Sequence, residues 1–132
     1  MEGDRQEGRR DSSSMAEAGL SAFICLGDGD FHARLAATHG VSLVLFTAPH
    51  CAACRAWKRL LPGALAGIAD SLYVVDVSVA TGLARYYGIF HLPALHLYRD
   101  GAFHAEVQCA LHADTLRQTV AQLLQHPARE EP

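Results

Sequence analysis

The pattern of apolar and polar positions divides the chain into short segments that change period along its length. Ala22-Phe23-Ile24-Cys25-Leu26 is a short apolar run and predicts an edge strand. Gly27-Asp28-Gly29-Asp30 then turns the chain. Asp28 or Asp30 is placed to cap a helix through about Thr38, with Phe31 and Leu35 on one face and His39-Gly40 as its stop. Val41 to Ala48 is short, nearly all apolar and rich in β-branched residues, the pattern of a buried strand. A helix is expected from about Cys51. Pro62-Gly63 interrupts it, giving either one kinked helix or two pieces ending near Ala69. Leu72 to Val77 is a second buried strand, with Asp76 capping the turn after it. Thr81 to Tyr87 reads as a short helix, capped by Ser78 or Thr81 and ended by Gly88.

The pattern then changes. Ala94-Leu95-His96-Leu97-Tyr98 predicts a strand, Asp100-Gly101 a hairpin turn, and Phe103 to Val107 an antiparallel return. A last helix runs from His112 or Ala113 to about Gln125, with Leu116, Val120, Leu123 and Leu124 in helical period and His126-Pro127 as its end. The order β-α-β-α-β-α-β-β-α describes an α/β chain with parallel crossovers first and one hairpin after. Residues 1–20 are charged and rich in Gly and Ser, an expected disordered lead, and Met15 is an alternative start. Residues 21–126 form the expected domain and 127–132 a short flexible tail.

Composition narrows the function classes. With 132 residues, 50% hydrophobic and 19% charged, the chain fits one globular domain with a real core. Its apolar runs fall short of the roughly 18 residues of a membrane span. Net charge is −3 and the cations form no single block, so neither nucleic acid nor a membrane surface is an expected partner. The four cysteines Cys25, Cys51, Cys54 and Cys109 allow three pairings if the chain is secreted. A core of this size needs no such staples, and no secretory signal pattern is seen at the N-terminus, so a cytoplasmic, reducing compartment is expected.

In that setting Cys51-Ala52-Ala53-Cys54 carries the chemistry. A strand that delivers a cysteine to a helix N-terminus places its sulfur beside unpaired N–H groups and the positive end of the dipole, which favour thiolate over thiol. The second thiol, three residues on, lies on the same helix face. A redox pair is the leading reading. Two core residues that happen to fall three apart, and a metal-binding pair, are the alternatives.

Three features together resemble the thioredoxin family over roughly Ala22 to Gln125. They are the strand-Pro-His-Cys51-Ala-Ala-Cys54-helix segment, Tyr87-Gly88-Ile89-Phe90-His91-Leu92-Pro93, and Leu97-Tyr98-Arg99-Asp100-Gly101. The resemblance implies a thioredoxin fold, a central mixed β-sheet flanked by helices. It implies that Pro93 is cis and packs beside the cysteine pair, with the Leu92–Pro93 peptide offering backbone hydrogen bonds to an extended substrate. The implied activity is thiol–disulfide exchange, with Cys51 attacking and Cys54 resolving. The implied partners are protein disulfides and an electron-donating reductase, a monomer is expected, and no metal or cofactor is needed beyond the Cys51–Cys54 disulfide.

Several residues depart from that family pattern. The buried acid of thioredoxins proper, six positions before the first cysteine, is Leu45, and the tryptophan before that cysteine is His50. The Gly-Pro between the cysteines is Ala52-Ala53. A groove glycine aligns with Cys109, a possible third thiol. His50 is either a neutral surface group or a cation that favours the Cys51 thiolate. His91 is expected on the groove rim, His96 as a half-buried, hydrogen-bonded residue, and His32, His39, His104, His112 and His126 at the surface. Cys25 is expected to be a buried inert thiol and Trp57 to pack against the sheet. Two further functions compete: a zinc module built from Cys51, Cys54, Cys109 and His50 or His91, and a binding domain with little chemistry of its own.

Overall fold

A computed structural model describes residues 23–132. The expected lead over residues 1–20, the alternative start at Met15, and Ala22 lie outside the described residues. The elements are β1 (Phe23–Cys25), α1 (Phe31–Ala36), β2 (Val41–Thr47), α2 (Ala52–Ala64), β3 (Ser71–Asp76), α3 (Thr81–Tyr86), β4 (Ala94–Arg99), β5 (Ala102–Val107) and α4 (Ala113–Gln125). One sheet of five strands takes the order β1-β3-β2-β4-β5. β1 and β2 both run parallel to β3, while β4 is antiparallel to β2 and to β5. The apolar strands β2 and β3 therefore sit inside the sheet, where both faces can be covered.

Alternate residues of the central strands feed two cores. On one face Leu43, Leu45, Leu72, Val74, Leu95 and Leu97 pack beneath Trp57, Leu61 and Leu65 from α2 and its end, and Leu116 and Val120 from α4. On the other, Val44, Phe46, Tyr73 and Val75 meet Phe31 and Leu35 of α1 and Leu83 of α3. A buried Leu of this kind adds roughly 2 kcal/mol. This explains how α2 runs unbroken through Pro62: Leu61, Ala64 and Leu65 are all held in the core, and their burial outweighs the lost hydrogen bond. The helix is one piece and ends at Ala64, with a turn rather than helix reaching Ala69.

Turn chemistry sets the rest. Asp100 (φ 51°) and Gly101 (φ 84°) join β4 to β5 with both turn residues left-handed, the two-residue hairpin geometry. A side chain at Gly101 would stand 2.6 Å from the Leu35 carbonyl oxygen, so hairpin and α1 pack backbone to backbone. Asp76 accepts from the Ser78 N–H and hydroxyl, as its turn position predicts.

The helix caps differ from expectation. Neither Ser78 nor Thr81 caps α3; Asp28, from the turn before α1, accepts from the N–H groups of Gly82 and Leu83 at 3.1 and 2.9 Å. Asp30 stands at the N-cap of α1 but binds the Gly27 N–H instead. Thr38, past the end of α1, pairs with the Tyr73 hydroxyl. The segment after α4, expected as a flexible tail, makes defined contacts: Arg129 N–H donates to the His104 carbonyl, and Glu131 accepts from Tyr86 and Tyr87. Tyr98 in turn donates to Tyr87.

Candidate redox site

β2 ends at Thr47, and Ala48-Pro49-His50 turns the chain into α2. Cys51 is the N-cap of α2, in extended conformation (φ −97°, ψ 104°), and its sulfur accepts from the Cys54 N–H at 3.1 Å. A sulfur thus takes the place that Ser or Asp usually fills, facing the donors and dipole of a thirteen-residue helix. Cys54 follows one turn later with its Cα 5.2 Å from that of Cys51, and the two sulfurs stand at disulfide-bonding distance. Cys54 is wholly buried and Cys51 partly exposed. Only Cys51 can be reached from outside, an asymmetry that ordered exchange requires.

The Leu92–Pro93 peptide is cis. Pro93, His91 and Cys109 line a groove of about 390 Å³, together with Phe90, Trp57 and His96. Trp57 packs against the sheet as expected, and it is also the wall through which α2 meets this groove. Leu92 is half-buried and turns into the core beneath α1 and α3. His50 is exposed and is not among the groove residues. Burial raises the Cys109 thiol above its usual value, opposed by a hydrogen bond from Thr119. Among the described residues no three His, Cys, Asp or Glu side chains stand close enough to share a metal ion, so the donors of the zinc alternative are not assembled.

Three residues depart from their expected settings. Cys25 is exposed, because β1 is a three-residue edge strand with a neighbour on one side only. His104 is buried at 4% exposure and hydrogen-bonds the Leu123 carbonyl, because β5 faces α4. His96 is not half-buried but 1% exposed, and its Nδ1 has no hydrogen-bond partner. Its ring is enclosed by Phe46, Tyr87 and Phe103 at centroid distances of 4.8, 5.3 and 5.3 Å, and burial lowers its pKa to about 4. Phe90, 88% exposed on the groove rim, was not singled out by sequence reasoning. An aromatic between Ile89 and His91 that belongs to no helix or strand pattern was its one signal.

A mixed sheet with helices on both faces, a CxxC pair heading the helix after β2, and a cis-proline ahead of β4 define a thioredoxin-fold domain built around a disulfide-forming pair. The Thioredoxin family model matches residues 22–122, and the chain belongs to the thioredoxin family. It is 38% identical over 90 residues to protein disulfide-isomerase A3 of Gallus gallus, a match covering 64% of this chain and 17% of that protein. The chain thus spans about a sixth of that relative's length. Among solved structures it resembles the human ERp44 zinc-bound form (TM-score 0.64, 20% identity, 76% of this chain and 31% of that one). It also resembles a designed protein (TM-score 0.65, 23% identity, 78% and 98%). These two likenesses bear on the fold. The family, the relative and the cysteine pair together support a thiol–disulfide oxidoreductase kind of function.

Proposed function

We propose that the chain reduces protein disulfides in the cytoplasm as a monomer, and that an electron-donating reductase restores its dithiol. The observation that carries this reading is the pair itself: Cys51 partly exposed at the helix N-cap with an N–H on its sulfur, and Cys54 buried one turn behind. The Cys51 thiolate attacks one sulfur of a substrate disulfide. That S–S bond breaks, the first substrate thiolate leaves, and a mixed disulfide forms. Cys54, having given its proton to water, then attacks the Cys51 sulfur. The second substrate thiolate leaves, and two electrons have passed from the pair to the substrate. The Leu92–Pro93 segment binds the extended substrate by backbone hydrogen bonds, with His91 and Cys109 along the groove and His50 outside it on the turn before Cys51. Cys25 and Cys109 are both unbonded, which fits a reducing compartment.

The test is a pair of substitutions assayed against a disulfide-bonded protein. Cys51→Ser is expected to abolish turnover, and Cys54→Ser to accumulate a mixed disulfide visible on non-reducing gels. Full turnover by the Cys51 variant overturns the assignment. The reduction potential of the pair fixes direction: a value below the cytosolic glutathione poise of about −220 to −260 mV marks a reductant.

A further inference from the structure

The flank of α2 that leads away from Cys51 carries Arg55, Lys58 and Arg59, and the helix has no carboxylate anywhere along it. Four, seven and eight residues on from Cys51, the three cations fall on one stripe with the sulfur at its head. All three are exposed, while Cys54, Trp57, Leu61 and Ala64 turn the neighbouring flank into the core. Arg55 Nη1 donates to the Pro49 carbonyl at 3.3 Å, which holds the guanidinium over the turn that precedes Cys51. Lys58 Nζ stands 5.8 Å from the centroid of the Phe23 ring. Among the described residues the one ion pair is Arg117–Asp114 on α4, so no described carboxylate neutralises the stripe.

Local stability does not explain this arrangement. Arg55 repels Lys58 at i,i+3 and Arg59 at i,i+4, and a cation so near the start of a helix faces the wrong end of its dipole. The chain as a whole carries a net charge of −3, so the stripe is a concentration of positive charge against the overall balance. Departures from local rules of this kind gather at places that do something else for the protein.

We infer that the stripe is a docking surface for acidic polypeptide, selecting disulfides flanked by Asp and Glu. The inference rests on Cys51 as the attacking thiol. A substrate sulfur joined to Cys51 sits at the head of the stripe, and carboxylates in the substrate segment that crosses α2 reach two guanidinium forks and an ammonium. The forks take carboxylates in bidentate fashion, and the positive field of the stripe raises the encounter rate.

The experiment mixes pre-reduced protein with three disulfide-bridged peptides of equal length, flanked by acidic, neutral or basic residues, and follows release of peptide thiol. At low salt the acidic peptide is expected to react about tenfold faster than the neutral one and the basic peptide slowest. The differences should close near 1 M salt, where the screening length is about 3 Å. Arg55→Gln with Arg59→Gln should bring the acidic-peptide rate close to the neutral-peptide rate measured in the same variant, with the helical circular dichroism kept. Arg34→Gln, which removes a cation from α1 instead, should leave the advantage in place. Equal rates for acidic and neutral peptides at low salt, or an advantage that survives the paired substitution, overturn the inference and leave the thiol chemistry standing. No reaction with any peptide overturns the assignment of Cys51, and this inference with it.

Discussion

His96 should make the fold acid-sensitive over a pH range that the structure defines. Its ring lies on β4 between Phe46, Tyr87 and Phe103 with 1% exposure, and its Nδ1 meets no partner. Burial lowers the pKa from 6.5 to about 4, so the folded protein keeps the imidazole neutral where the unfolded chain protonates it. The unfolded state therefore binds more protons between those two values, and stability must fall as pH drops from about 6.5 to 4. Linkage gives a loss from this group of about 2 kcal/mol at pH 5 and about 3 kcal/mol at pH 4, relative to pH 7. That is a large part of the 5–15 kcal/mol typical of a small domain. The assay is urea unfolding of wild type and His96→Leu at a series of pH values. Other groups act on both proteins, so the difference between the two curves isolates His96. Leucine also removes the unpaired Nδ1 and its cost of about 1–3 kcal/mol. The variant should gain on wild type by about 3 kcal/mol as pH falls from 7 to 4. A difference that stays constant across that range refutes the argument, since it would mean the imidazole is solvated or paired in the folded state.

Two further substitutions test how the scaffold is held. Gly101→Ala places a Cβ 2.6 Å from the Leu35 carbonyl oxygen at φ 84°. It should cost about 2 kcal/mol, read as a drop in Tm, with α1 and the hairpin losing protection first in hydrogen exchange. Asp28→Ala removes the acceptor of two N–H groups at the start of α3. It should cost about 1–2 kcal/mol in denaturant unfolding, with Asp28→Asn recovering part of the loss.

The features that depend on local pattern were legible in the sequence. β2 and β3 showed as short apolar runs because central parallel strands are covered on both faces. The Asp100-Gly101 turn was readable because left-handed backbone admits few residues, and α4 because one face of a thirteen-residue helix meets the sheet. The close cysteine pair and the cis Leu92–Pro93 bond were readable from their motifs, although 39 positions separate Cys54 from Pro93 (93 − 54). The rest is decided by contacts between distant segments. Asp28 looked like the cap of the helix beside it and is the cap of a helix 54 residues on. His104 and His96 are polar residues in strands, and alternation alone does not say that α4 covers one and three aromatic rings the other. Pro62 read as a kink or a break because local propensity opposes helix there, and the burial of Leu61, Ala64 and Leu65 carries one helix through it. Cys25 read as buried because its run is apolar, yet an edge strand leaves part of such a run open.

The position of Leu45 bears on how the proposed reaction divides between its two steps. Leu45 is wholly buried in the core that α2 covers, opposite Val74 on β3 and Leu95 on β4, six positions before Cys51. The core under α2 therefore holds a leucine at the position where the family pattern has a carboxylate. On the proposed roles, attack by Cys51 needs no help from that position, because its thiolate charge rests against the Cys54 N–H and the helix N-terminus. Resolution does need help. Cys54 is 0% exposed, so its sulfur is shielded from an outside base. Under the proposed reading, access favours the first step and burdens the second. On the proposed roles, the mixed disulfide is the species that accumulates. The proposed acidic docking would act in the same direction, since carboxylates on Arg55 and Arg59 would hold the substrate over α2 before Cys54 attacks. A fast capture and a slow release would then be two outcomes of one arrangement, with the resolving sulfur buried and a charged flank beside the pair.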